Sequence, residues 1–174
     1  PARCRRCSTA CRPTGGRVAS RSSPGRFLVA RAGWLVAAVL HARDRGGRQV
    51  VLDAGMTELI RPALYGARHA VVALTSLGRP CAGLGAGSVH SADAGTAPTR
   101  VEGPICESTD SLGIHDLPPL RRGDLVAIAD AGAYGASQSS GYNGRPRPAQ
   151  VLLDADGRIR LGRRRSTLGP VTAR

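Results

Sequence analysis

Apolar residues in this chain fall into short runs, and the runs are separated by turns rich in glycine and proline. From Phe27 to Arg43 the string FLVARAGWLVAAVLHAR spaces Leu28, Leu35, Val36, Val39 and Leu40 like the apolar face of a helix. A helix is therefore predicted near 27–43, entered from the turn Pro24-Gly25 and broken by Gly46-Gly47. The string QVVLD, residues 49–53, predicts a short buried strand. Residues 57–65 predict a turn of helix interrupted by Pro62. Further strands are predicted at 69–75, 99–105, 124–129, 149–153 and 158–163, with a Gly/Ala/Ser/Pro loop over 76–98. After the first helix, short strands alternate with turns, so the expected fold is mainly β, a barrel or sandwich, and mostly antiparallel over 47–165. No internal repeat is evident.

Residues 1–22 carry no apolar periodicity and are expected to be a disordered or non-native leader. The chain begins with Pro rather than Met, which fits a truncated or out-of-frame start. The expected division is the leader (1–22), a linking segment with the helix (23–46), the β-domain (47–168) and a tail (169–174). Cys4, Cys7 and Cys11 have close spacing but lack a fourth ligand, so no zinc site is expected there.

Composition narrows the function classes. The net charge is +13, but six arginines and no acid lie in residues 1–22, and the other arginines are scattered. Aromatic residues make up 3% of the chain, too few for base stacking, so an arginine-rich nucleic-acid binder is the weaker reading. No apolar run is long enough for a membrane span, and no secretory signal is expected from the N-terminal pattern. Five cysteines, an odd number, do not suggest a disulfide framework, so a reducing cytoplasm is the expected setting. All 25 basic residues are arginine; there is no lysine.

Three segments could carry chemistry. Cys106 and Glu107 follow Gly103-Pro104-Ile105, and a thiol beside a carboxylate can donate a proton. Taken alone, a cysteine after an apolar strand is more often a buried core residue. Arg61 and Tyr65 in RPALY are spaced i,i+4, so a helix would put them on one face. A guanidinium there offers a fork for a carboxylate, although from spacing alone a solvated arginine beside a core tyrosine is the more common arrangement. Tyr134 lies in DAGAYG, where glycines allow close approach to an anion, or simply form a turn.

The strings CESTD (106–110), DAGAYG (130–135), RPALY (61–65) and PGR (24–26) together resemble the C-terminal part of diaminopimelate decarboxylases. These belong to the ornithine/diaminopimelate/arginine decarboxylase group, which uses pyridoxal 5'-phosphate (PLP). The resemblance covers roughly residues 24–167 and implies the C-terminal β-domain, with the group's (β/α)8 barrel missing. It implies that Cys106 protonates the decarboxylated carbon. It implies that Arg26, Arg61, Tyr65, Glu107 and Tyr134 bind the substrate, meso-diaminopimelate. Tyr134 and Arg26 would also meet the cofactor. The implied reaction gives L-lysine and CO2, in a homodimer whose Cys-Glu segment completes the partner's pocket. The sequence departs from the group in two ways. Ser23 stands where the group has a glutamate for the pyridine nitrogen, and no lysine is present to form the Schiff base. The chain alone is thus expected to be inactive. The alternatives are a non-catalytic β-domain serving as a dimerisation remnant, and a decarboxylase of another diamino acid. CESTD and RPALY speak against the latter.

Overall fold

The computed structural model describes residues 24–75, 77–79 and 95–167. The expectations for residues 1–22, for Ser23, for most of the 76–98 loop and for the tail fall outside that range.

A six-stranded sheet forms the body. Its strands are β1 (Leu35–Arg43), β2 (Arg48–Leu52), β3 (Val71–Leu74), β4 (Ala97–Glu102), β5 (Ser111–Leu117) and β6 (Leu125–Ile128), in the order β3-β6-β1-β2-β4-β5. All neighbours are antiparallel except β2 and β4, which run parallel. The edge strands β3 and β5 approach each other, so the sheet curls toward closure. A separate antiparallel hairpin pairs β7 (Gln150–Leu153) with β8 (Ile159–Arg163). The mainly β, mostly antiparallel expectation is met.

The predicted first helix is largely replaced. Helix α1 covers only Gly25–Val29, a 3-10 turn follows at Ala30–Ala32, and residues 35–43 form β1. Two physical reasons stand out. Ala37 and Val39 point inward while Val36 and Leu40 point out, which is the period of a strand. Apolar residues on both faces of the run had imitated the helical spacing. The backbone also turns extended at Gly33, φ −116° and ψ 140°, where it packs so closely on Gly132 that a β-carbon would lie 2.3 Å from the Gly132 Cα. Strand β1 is the hub of the sheet. Residues Leu35–Ala38 pair with β6, and from Val39 onward the strand pairs with β2, with a bulge between Val39 and His41.

Two further corrections concern local chemistry. Pro62 does not interrupt a helix; it sits in the first turn of α2 (Arg61–Tyr65), where its missing N–H is harmless. Gly66, in the left-handed conformation at φ 61°, ends α2 by donating to the Pro62 carbonyl at 3.0 Å. Strand β5 was not predicted at all. Its sequence SLGIHDL buries only Leu112 and Leu117 fully, and Gly113 takes φ 98°, so the alternation that marks a strand is broken.

The core is small and aliphatic: Val39, Leu52, Leu59, Val101, Leu117, Val126 and Ile128 are all essentially inaccessible to solvent. Each such side chain stabilises the fold by about 1.5–3 kcal/mol relative to exposure. Among the described residues no helix is long and apolar enough to cross a membrane.

Candidate functional site

Sheet topology decides where the chemistry-bearing loops lie. Because β2 and β4 are parallel, their C-terminal ends share one end of the sheet. Strand β1 is antiparallel to β2 and to β6, so the start of β1 and the end of β6 lie at that same end. The segments before β1, after β2, between β4 and β5, and after β6 therefore gather there. They carry Arg26, then Arg61 and Tyr65, then Cys106 and Glu107, then Tyr134. All six residues singled out in the sequence occupy one end of the domain.

Buried acids lace these loops together. Asp110, 3% exposed, accepts the Met56 N–H at 2.6 Å on one carboxylate oxygen and the Ile105 N–H at 2.8 Å on the other. The Gly103 N–H donates to its carbonyl at 2.8 Å. A β-carbon at Gly55 or Gly103 would lie 2.1 Å from an Asp110 oxygen, so both glycines are needed for this approach. Glu58, also buried, accepts the Gly55 N–H and the Thr57 hydroxyl, each at 2.8 Å, and pairs with Arg145 at 3.3 Å. Arg145 also donates to the Asp53 carbonyl, and the Ser140 N–H donates to the Thr57 carbonyl at 2.9 Å. Thus the 53–60 loop is bonded to the 103–110 segment through Asp110 and to the 139–145 segment through Glu58 and Thr57. Sequence reading missed Asp110, Glu58 and Arg145. The contacts that tie one loop to another, Asp110 with Met56 and Arg145 with Glu58 and Asp53, span 54 to 92 residues, and no spacing rule links them.

On this frame the structure brings Arg61, Tyr65 and Tyr134 together. The Arg61 guanidinium carbon lies 5.7 Å from the Tyr65 ring centre and 5.4 Å from the Tyr134 ring centre. The i,i+4 expectation for Arg61 and Tyr65 holds, and Tyr65 is exposed rather than a core residue. Both rings steady the guanidinium by cation–π attraction, and among the described residues its N–H groups have no hydrogen-bond partner, so the fork can meet a carboxylate. Tyr134 reaches this position from a left-handed backbone, φ 67°, which costs on the order of 1 kcal/mol. Of the two glycines in its DAGAYG string, Gly132 serves a packing role. A β-carbon at Gly132 would lie 1.9 Å from the Val29 carbonyl oxygen, so this glycine lets two backbones meet.

Cys106 is exposed, which removes the core-residue reading. Glu107 beside it accepts a hydrogen bond from the Tyr142 hydroxyl at 2.5 Å. That hydrogen bond first, and then the Glu107 charge, raise the Tyr142 phenol above its ordinary value of 10.0. Arg26 is exposed on the first turn of α1 and, among the described residues, shares no hydrogen bond, ion pair or cation–π contact with the other five. Among the described residues no group of His, Cys, Asp and Glu could hold a metal ion.

A curled sheet whose one end displays an exposed thiol–carboxylate pair and an arginine between two phenols matches a known family. Residues 26–132 match the model described as the pyridoxal-dependent decarboxylase C-terminal sheet domain, and the chain belongs to this family. Its similarity is to the diaminopimelate decarboxylases in particular. The protein of that name from Escherichia coli (strain K12) is 41% identical over 171 residues, which cover 93% of this chain and 38% of that protein. A crystal structure of diaminopimelate decarboxylase superposes with TM-score 0.71 at 41% identity, over 83% of this chain and 34% of that one. The Helicobacter pylori enzyme complexed with L-lysine gives TM-score 0.66 at 37% identity, over 82% of this chain and 32% of that one. The chain thus spans 38% of the length of the E. coli relative.

The residues present fit one side of a PLP site. An exposed phenol, a steadied guanidinium and a thiol–carboxylate pair suit an amino-acid substrate and the rim of the cofactor. They do not supply the covalent anchor, because none of the 174 residues is a lysine.

Proposed function

We propose that this chain supplies the substrate-binding and proton-donating half of a diaminopimelate decarboxylase site, converting meso-2,6-diaminopimelate to L-lysine and CO2 in lysine biosynthesis. PLP, held by a lysine outside these residues, supplies the electron sink for loss of CO2. Cys106 holds at Sγ the proton that replaces the lost carboxyl group. Glu107 takes the distal ammonium of the substrate, and the Arg61 fork takes its distal carboxylate, with Arg26 and Tyr65 alongside. Tyr134 would contact both the cofactor and the substrate, and Arg26 would help to hold the cofactor. The site forms between two copies, in the cytoplasm.

The observation that carries this reading is the Arg61 guanidinium set between the Tyr65 and Tyr134 rings, at the same end of the sheet as Cys106 and Glu107. A small dicarboxylate diamine needs one fixed cation and one fixed anion to bind its distal end. The absence of lysine favours a second reading, a non-catalytic sheet domain that only dimerises.

Mixing the chain with an intact diaminopimelate decarboxylase that lacks its own cysteine separates the two. Proton donation predicts that lysine formation is restored and then falls about 100-fold or more with Cys106→Ala. Association without restored turnover leaves only the dimerising domain.

A further inference from the structure

Tyr142 lies in the 3-10 turn Tyr142–Gly144, outside the strings that marked the site in sequence. The turn is firmly placed. The Tyr142 N–H donates to the Ser140 hydroxyl at 3.3 Å, and the Ser140 N–H is bonded to the Thr57 carbonyl at 2.9 Å. Beyond the turn, Arg145 is fixed by Glu58 and by the Asp53 carbonyl. Asn143, at φ 54°, takes the left-handed conformation that asparagine tolerates better than most residues. From this anchored turn the phenol reaches across to Glu107, 35 residues away in sequence, and donates to its Oε1 at 2.5 Å. The Glu107 backbone is fixed as well. Its N–H donates to the Ile105 carbonyl at 2.8 Å, and its carbonyl accepts the Asp110 N–H at 3.0 Å.

The choice of partner matters chemically. A bare glutamate on the surface samples many rotamers and loses that freedom when it binds a ligand. A lysine or arginine partner would hold it but would cancel its charge. A neutral phenol occupies one carboxylate oxygen, leaves the full negative charge, and leaves the other oxygen for a cation.

We propose that Tyr142 is the positioning residue for Glu107, holding its carboxylate ready for the substrate's distal ammonium; this rests on the substrate-binding reading of Glu107. A phenol is protonated, and so a donor, throughout the neutral range, and the bond to Glu107 raises it further above its ordinary value of 10.0.

The test uses the full chain in two measurements. Tyrosinate absorbance against pH is recorded for the wild type, Tyr142→Phe and Glu107→Gln. One of the three tyrosines should titrate above the ordinary value of 10.0; that component should vanish in Tyr142→Phe and move down in Glu107→Gln. A titration unchanged by Glu107→Gln overturns the contact and the proposal. The second measurement is turnover in the mixed assembly with the cysteine-less relative. Tyr142→Phe should raise KM for meso-diaminopimelate roughly ten-fold, the weight of one hydrogen bond to a charged group, with kcat within about two-fold. An unchanged KM overturns the positioning role while leaving the wider function standing. A wild-type chain that restores no turnover overturns that function, and the proposal with it, whatever the titration shows.

Discussion

Asp110 receives two backbone N–H groups, one from each of two loops, and is almost fully buried. Removing it strands both donors, at a cost of about 1–3 kcal/mol each. Asp110→Ala should therefore lower the unfolding free energy by about 3 kcal/mol, read from the urea midpoint. Asp110→Asn keeps one acceptor oxygen and should lose less. Cys106 makes the opposite kind of prediction. It is exposed, so Cys106→Ala should leave the midpoint within about 0.5 kcal/mol of wild type. Its effect should appear in turnover alone. Tyr142 links pH to structure. Its phenol is raised above 10.0, so its contribution is fully present below that value and is lost as pH rises through the raised value. The Tyr142–Glu107 contact should thus hold through neutral pH and fail only in strong alkali, followed by tyrosinate absorbance.

At the scale of elements, β1 is the informative case. A helix would put Val39 and Leu40 on one apolar face; the strand puts Val39 inside and Leu40, 43% exposed, outside. Val39→Lys should destabilise by about 4 kcal/mol or more, because it buries an unpaired charge. Leu40→Lys should change stability by about 0.5 kcal/mol or less. Comparable losses from both substitutions would restore the helix. The strands at 48–52, 71–74, 97–102, 125–128, 150–153 and 159–163 were legible to within about three residues, because each is a short apolar run flanked by turn residues. Strand β5 was not legible, since its pairing with β4 holds it in place despite a broken alternation.

Across the whole molecule, apolar surface is left uncovered. Phe27 and Leu28 on α1, Trp34, Val36 and Leu40 around β1, and Val151, Leu153 and Ile159 on the β7–β8 hairpin are all exposed. Val39, which helical spacing had placed on this patch, is buried. The chain should therefore self-associate and bind a hydrophobic dye; a monodisperse monomer at high concentration with no dye binding would contradict this. Because it has no lysine, the purified chain should leave the absorbance spectrum of added PLP unchanged and release no CO2 from meso-diaminopimelate. Turnover by the chain alone would overturn that expectation.

The strings CESTD, RPALY and DAGAYG singled out Cys106, Glu107, Arg61, Tyr65 and Tyr134 through their resemblance to the family, since local spacing alone fitted core and turn residues better. Turn residues and short apolar runs were enough for a mainly β domain. Tertiary structure alone decided that these strings share one end of the sheet, since that depends on the parallel pairing of β2 with β4 and on the antiparallel neighbours of β1. It alone decided that Asp110 and Glu58 bind the loops together and that Tyr142 meets Glu107. The contacts that cross between loops, Asp110 with Met56, Glu58 with Arg145 and Tyr142 with Glu107, join residues 35 to 87 positions apart, so no local pattern encodes them.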